Sequence, residues 1–227
     1  MATYILLPNI PVFPRRPIIF TRRPCLLPQF SRPDVYSVPF YGEKIHVTVA
    51  KKNVHVQEWI FNVLRFYGPR LHKIYVGLDT EWRPNFAPED DHPVAIIQLC
   101  IGHHCLIFQL LHADCIPRAL HAFLGDSRFT FCGVGVQEDV KKLHDHHGLR
   151  VESIMDLNEV AGSKCGHMYR YMGLKKMAIA VLGKEMMKPK EVTLSAWDAV
   201  DLDVNQVEYA AIDAIVSFQL ASVLSSM

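Results

Sequence analysis

The sequence lacks the hallmarks of several protein classes. Its six cysteines, spread over 227 residues, include no CxxC pair, so neither a zinc module nor a secreted disulfide framework is indicated. No apolar run approaches the roughly 18 to 20 residues of a membrane span, and we expect no membrane partner. With 50% hydrophobic and 21% charged residues, the chain is not disordered, collagen-like or coiled-coil. We expect an intracellular protein with one folded domain.

The first 33 residues contain no acidic residue. They carry five arginines, and eight of the 14 prolines have occurred by Pro39, which predicts a disordered leader over 1–33 and a folded domain over 34–227. Arginine without acid resembles an organelle transit peptide, although serine and threonine are scarce. We expect a nuclear or cytosolic protein, and leave open whether the leader targets an organelle or has no specific role.

Hydrophobic periodicity from Val35 onward predicts alternating β-strands and amphipathic helices. The final helix has a capping-box pattern, with Asp203 followed three residues later by Gln206. The predicted order is strands near 36–40 and 45–49, a helix over 56–67, strands over 74–78, 94–101 and 105–110, a helix over 116–124, a strand over 129–134, a helix over 137–144 and a helix from 203. This order predicts an α/β fold, a mixed β-sheet flanked by helices.

Four acidic residues fall where such a fold could bring them together. Asp79 and Glu81 follow an apolar strand and stand two apart, so both point to one face. Asp139 lies in the first turns of a helix, and Tyr209 and Asp213 share one face of the last helix. Carboxylates without histidine or cysteine partners suit Mg²⁺ or Mn²⁺ better than zinc.

The segments around these residues resemble the three motifs of the DEDD family of 3′-5′ exonucleases. The similarity covers about 35–224, and the chain resembles in particular the Werner-syndrome-exonuclease-like group. Position 208 is Glu and position 209 is Tyr, which is the pattern of the tyrosine branch, DEDDy. The matching strings are Val-Gly-Leu-Asp-Thr-Glu-Trp at 76–82, Gly-Val-Gly-Val-Gln-Glu-Asp at 133–139 and Tyr-Ala-Ala-Ile-Asp-Ala at 209–214.

This resemblance implies an RNase H-like (DnaQ-like) fold and metal-dependent hydrolysis of DNA or RNA from the 3′ end. Asp79, Glu81 and Asp213 would bind two divalent cations, Mg²⁺ or Mn²⁺, directly, and Asp139 would complete the metal site partly through water. Tyr209 would orient the attacking water, and a phenol with a pKa near 10 is indeed a poor general base at neutral pH. The implied products are nucleoside 5′-monophosphates.

Two further features are candidates for nucleic-acid binding. Trp82 could stack on a terminal base, although packing in the core is the competing interpretation. The segment 164–190 has seven basic residues against Glu185, and could follow a phosphate backbone or simply face solvent. The basic residues selected as candidate contacts are Lys175, Lys176, Lys188 and Lys190.

The alternative is a non-enzymatic protein with the same fold, a catalytically silent binding or scaffold protein that binds nucleic-acid 3′ ends without cleaving them. Against it, no carboxylate of the motif set is missing. The expected partner is a DNA or RNA 3′ end, single-stranded or recessed. Because no second nucleic-acid-binding module is evident, we allow for self-association into a homo-oligomer and for a helicase or other protein partner.

Overall fold

The structure is a computed structural model that describes residues 32–67, 74–87 and 89–227. The predicted leader over 1–33 lies almost entirely outside the described residues. Residues Pro33–Met227 form one compact unit.

A seven-stranded mixed sheet forms the centre of this unit, in the spatial order β1-β2-β5-β4-β3-β6-β7. Neighbours β1–β2, β5–β4 and β4–β3 are antiparallel, whereas β2–β5, β3–β6 and β6–β7 are parallel. The predicted hairpin and the antiparallel trio of strands are confirmed. In chain order, β1 to β7 span Asp34–Phe40, Glu43–Ala50, Ile74–Trp82, Val94–Ile101, His104–Gln109, Phe129–Gly133 and Ile154–Asp156.

Helices cover both faces of the sheet. Side chains of α1, α2 and α3 form one hydrophobic cluster with the sheet, and those of α4, α5 and α7 form another on the opposite face. Every residue of β4 and β5 is therefore buried, as expected for strands covered on both sides. In chain order, α1 to α7 span Asn53–Tyr67, Arg118–Leu124, Val136–His147, Leu157–Lys164, Leu174–Met177, Lys190–Thr193 and Val204–Ser226.

Local sequence signals explain where several helices begin. The predicted capping box is present, since Asp203 accepts a hydrogen bond from the backbone of Gln206 and the Gln206 side chain accepts one from the backbone of Asp203. Helix α3 begins after Gly135, whose φ of 67° is easily adopted by glycine. Helix α2 begins at Arg118, two residues later than predicted, because Pro117 occupies the N-cap position. Strand β7 and the helices α4 to α6 were not predicted.

Helix α7 corrects one expectation from the sequence. Its 23 residues are long and apolar enough, by length and composition, to cross a membrane, whereas no apolar stretch of that length was expected. The apolar surface is explained within the fold, because 78% of its most apolar stretch is buried. The helix packs across the sheet and chiefly contacts β3 and β4.

Helix α7 approaches the sheet closely at Gly77 of β3. A Cβ atom at this position would lie 1.9 Å from the backbone oxygen of Ala214 and 2.8 Å from the backbone nitrogen of Phe218. Glycine is thus required for close packing of helix on strand. This contact sets the depth at which α7 meets the end of β3 that carries the acidic motif.

Candidate active site

The first two acidic residues lie within β3. The sequence placed them after the strand, but β3 continues to Trp82, with a β-bulge between Glu81 and Trp82. Asp79 and Glu81 point to the same face of the sheet, as the two-residue period predicts, while Thr80 between them is buried on the other face. Their shared face is the one that α7 covers.

Helix α7 brings the third carboxylate to this pair. Asp213 is 1% exposed and is the neighbour of Ala214, whose carbonyl packs against Gly77. Asp79, Glu81 and Asp213 each offer a carboxylate oxygen, and the three oxygens lie within 4.8 Å of one another. Three predicted metal ligands from two distant segments therefore meet at one point.

Asp139 reaches the site from the opposite face of the sheet, in the first turns of α3. The Thr80 hydroxyl donates a hydrogen bond of 2.5 Å to Asp139 Oδ1, and the Thr80 backbone N–H donates one of 3.0 Å to Asp79 Oδ1. Thr80 thus orients two of the four predicted carboxylates. Sequence reasoning missed this role, although a hydroxyl between the two acids of the motif was a signal for it.

We predict that Thr80→Val lowers the exonuclease turnover that the motif resemblance implies by about tenfold or more. Valine matches the shape of threonine but removes the hydroxyl that orients Asp139, and such supporting hydrogen bonds around metal ligands are typically worth about 10- to 100-fold. The measurement is steady-state cleavage of a labelled oligonucleotide. Thr80→Ser, which retains the hydroxyl, should stay near the wild-type rate, and equal losses in both variants would contradict the assigned role.

Tyr209 lies one helical turn before Asp213 and is 7% exposed. Its ring centroid lies 5.7 Å from that of the buried Trp197, and Lys188 Nζ lies 4.9 Å from its ring centroid. Burial, and then the charge of Asp213, raise the pKa of Tyr209 to about 12. The phenol therefore remains protonated at neutral pH and can donate a hydrogen bond.

The predicted nucleic-acid contacts occupy different places. Lys188 forms an ion pair with Asp213 Oδ2 and so lies inside the carboxylate site, which the sequence did not predict. Lys175 and Lys176 lie on α5, and Lys190 begins α6. Trp82 is half-buried, and Lys142 Nζ lies 4.7 Å from its ring centroid. Base stacking by Trp82 and backbone contacts by the outer lysines stay predictions.

Burial raises the pKa of every site carboxylate, and repulsion from Asp79 adds to the effect at Glu81, Asp139 and Asp213. The pKa of Asp213 rises to about 7 and that of Asp139 to about 8, in both cases chiefly through burial and with a further contribution from Asp79. Burial also raises the pKa of Asp79, and burial together with Asp79 raises that of Glu81 well above its usual value. Without a cation, this site therefore disfavours full ionisation.

These residues fit a divalent metal site. Asp213 Oδ1 is buried and has no hydrogen-bond donor among the described residues, so a buried oxygen remains available as a ligand. The donor set consists only of carboxylates, the hard ligands that Mg²⁺ and Mn²⁺ prefer. Asp79, Glu81 and Asp213 would hold the cation directly, with Asp139 beside them.

We predict that Mg²⁺ stabilises the protein more at high than at low pH. The folded-state pKa values of Asp139 and Asp213 are raised above those of unfolded carboxyls. Their contribution to stability is therefore complete below about pH 4 and is lost as the pH rises through about 7 to 8. Over that range the cation gains ionised ligands. Melting temperatures with Mg²⁺ and with chelator should diverge from pH 5.5 to 8.5, and a metal-induced shift independent of pH would contradict this.

Known proteins provide an independent comparison. A family model described as a 3′-5′ exonuclease matches residues 51–227. An Arabidopsis thaliana 3′-5′ exonuclease is 32% identical over 155 residues, covering 67% of this chain and 53% of the relative. The Mus musculus bifunctional 3′-5′ exonuclease/ATP-dependent helicase WRN is 34% identical over 142 residues, covering 61% of this chain and 10% of the relative. The chain thus spans about half of the plant relative and a tenth of the mouse one.

The fold has a solved counterpart in Escherichia coli RNase D, described as an exoribonuclease involved in structured RNA processing. It superposes with a TM-score of 0.65 at 21% sequence identity, covering 78% of this chain and 44% of that one. The RNase H-like architecture is confirmed. Fold and site together define a mixed α/β domain with a carboxylate cluster that fits divalent metals. The chain belongs to the 3′-5′ exonuclease family, as its three motifs predicted.

Proposed function

We propose that this chain hydrolyses phosphodiester bonds one nucleotide at a time from the 3′ end of DNA or RNA and releases nucleoside 5′-monophosphates. The observation that carries the proposal is the meeting of Asp79, Glu81 and Asp213 within 4.8 Å, one helical turn from Tyr209. Family membership supports the same reaction.

Each residue has a distinct task in this proposal. Asp79, Glu81 and Asp213 would hold the metal, while Thr80 keeps Asp79 and Asp139 in place through its two hydrogen bonds. The Tyr209 hydroxyl, protonated at neutral pH, donates a hydrogen bond that orients the attacking water. Two bound cations, Mg²⁺ or Mn²⁺, would lower the pKa of that water and stabilise charge on the attacking and leaving oxygens.

A groove next to Tyr209 offers a place for the end of the substrate. It has a volume of about 410 Å³, within the range of small-ligand sites. Its walls combine apolar side chains with an amide and carboxylates, which suits a nucleoside better than a phosphate. The lining residues are Met187, Pro189, Glu191, Val192, Asn205, Glu208, Tyr209 and Ile212.

The substrate and the setting are also proposals. Escherichia coli RNase D processes structured RNA, and the mouse WRN protein combines its exonuclease with a helicase. We propose that this chain acts on single-stranded or recessed 3′ ends in the nucleus or cytosol, and that any unwinding comes from a separate helicase partner.

The test uses 5′-labelled single-stranded and 3′-recessed oligonucleotides of DNA and of RNA. Each is incubated with Mg²⁺, Mn²⁺ or chelator, and the products are separated by gel. A metal-dependent ladder that shortens from the 3′ end supports the proposal, and the preferred sugar follows from the relative rates. Retained binding without cleavage on all substrates would favour the silent 3′-end-binding alternative.

We predict that Tyr209→Phe lowers the single-turnover rate constant of cleavage by about 100-fold, in the range of a positioned group that handles a proton or water. Phenylalanine keeps the ring that contacts Trp197 and lacks only the hydroxyl, so folding and Mn²⁺ affinity should match the wild type. The measurement is single-turnover cleavage at saturating metal. A rate within threefold or so of wild type would remove Tyr209 from the proposed mechanism.

A further inference from the structure

Lys188 is the cation that faces the carboxylate site. Its Nζ pairs with Asp213 Oδ2 and lies over the ring of Tyr209. In the part of the chain that the structure describes, no other ion pair reaches Asp79, Glu81, Asp139 or Asp213. The Lys188 side chain is 25% exposed, compared with 2% for that of Asp213. The ammonium therefore lies at the mouth of the site, where substrate would enter.

Contacts on its own loop fix the backbone that carries Lys188. The Tyr41 hydroxyl, in the β1–β2 turn, accepts a hydrogen bond of 2.6 Å from the Glu185 backbone N–H. Lys184 Nζ donates to Gln219 Oε1 at 3.0 Å and lies 3.6 Å from Glu43 Oε1. On the other side, Pro189 is the N-cap residue of α6. The backbone on both sides of Lys188 is thus held, so a change of partner requires only the Lys188 side chain to turn.

The Lys188 ammonium and a bound divalent metal would compete for Asp213. Asp213 Oδ2 is held by Lys188, and its buried Oδ1 has no donor in the described residues. One oxygen of Asp213 lies within 4.8 Å of carboxylate oxygens of Asp79 and Glu81. A divalent cation bound by Asp213 must compete with the ammonium, because two positive charges this close repel. Once displaced, the ammonium stays within reach of the site mouth, and a lysine is well suited to bind a phosphate as a point charge.

We propose that Lys188 is a further active-site residue that exchanges partners. Without metal it neutralises Asp213 and occupies part of the metal site. When a divalent cation takes Asp213, the ammonium turns to a non-bridging oxygen of the scissile phosphate and holds that phosphate against the Tyr209 hydroxyl. This inference rests on the proposed exonuclease function and adds a coupling between metal loading and phosphate binding.

The first arm of the test measures metal binding and does not depend on catalysis. Mn²⁺ binding to the full chain without nucleic acid is measured by electron paramagnetic resonance for wild type, Lys188→Met and Lys188→Arg. Because a competing charge is removed, Lys188→Met should bind Mn²⁺ about tenfold more tightly, and Lys188→Arg should stay near wild type. Lys141→Met, which removes an exposed lysine from α3, is the charge-matched control and should leave the affinity unchanged.

The second arm measures single-turnover cleavage at saturating Mn²⁺. Lys188→Met should be slower by about 100-fold, the size of losing one charged donor to the reacting group, and Lys188→Arg should recover much of the rate. Unchanged or weaker Mn²⁺ binding by Lys188→Met would overturn the exchange, as would tighter binding with an unchanged rate. If wild type does not cleave at all, the proposed function fails, while the Mn²⁺ measurement still decides whether Lys188 competes for Asp213.

Discussion

Asp79→Ala should abolish exonuclease activity, with a loss of about 10³-fold or more. Asp79 is one of the three converging metal ligands and is held by the Thr80 backbone N–H. Metal ions contribute several kcal/mol to stabilisation of charge in the transition state, and each 1.36 kcal/mol corresponds to about a factor of ten in rate. The measurement is cleavage of a 5′-labelled oligonucleotide at saturating Mg²⁺.

The same variant should remain folded. Burial disfavours ionised Asp79 in the metal-free protein, and the charge of Asp79 raises the pKa of the other site carboxylates, so its removal relieves repulsion. In chelator, Asp79→Ala should melt no lower than wild type at pH 8. Asp201→Ala, which removes an exposed carboxylate paired with Lys51, is the matched control and should keep full activity. Cleavage by Asp79→Ala at the wild-type rate would contradict the assigned site.

Among the variants proposed here, Gly77→Ala should cause the largest loss of folding stability. The added Cβ would lie 1.9 Å from the backbone oxygen of Ala214, and because that atom belongs to the backbone of a buried helix, the helix itself must shift. Overpacking of this kind costs about 3 kcal/mol or more. For a chain of this size, that corresponds to a fall in melting temperature of about 6 to 12 °C. The measurement is thermal or urea denaturation followed by circular dichroism.

The matched control is Gly173→Ala. An added Cβ there meets no atom within 4 Å, and Gly173 has an ordinary φ of −70°, so alanine should leave the stability within about 0.5 kcal/mol of wild type. Since a shift of α7 also moves Asp213, Gly77→Ala should lose activity as well. Equal melting temperatures for the two variants would show that the packing of α7 on β3 is looser than described.

Much of the fold followed from local patterns in the sequence. The two-residue alternation around Gly42 and the capping box at Asp203 were sufficient to predict the β1–β2 hairpin and the start of α7. Short elements such as Ile154–Asp156 were missed, because three residues carry too little periodicity to separate a strand from a loop. The apolar length of α7 was also underestimated, because Glu208 and Asp213 interrupt its apolar sequence, although Asp213 is buried in the fold.

The sequence was sufficient to predict the carboxylates of the candidate site, but not the contacts that support them. The motifs that contain Asp79, Glu81 and Asp213 have a spacing that is visible in the sequence itself. Lys188 pairs with Asp213 from the segment between α5 and α6. No local sequence pattern predicts such a contact. Gly77 likewise looked like an ordinary strand residue. Glycine is required there because helix α7, more than 130 residues later in the sequence, leaves no room for a Cβ atom.

The most direct test of the central claim identifies the first product released. An oligonucleotide carrying a distinct isotope label in its 3′-terminal nucleotide is mixed with wild-type protein and Mg²⁺, and early products are analysed by mass spectrometry. The account predicts that the labelled nucleotide appears first, as a nucleoside 5′-monophosphate, and that Asp213→Ala releases none. Release of a nucleoside 3′-monophosphate, of internal fragments, or of label from the 5′ end first would contradict it.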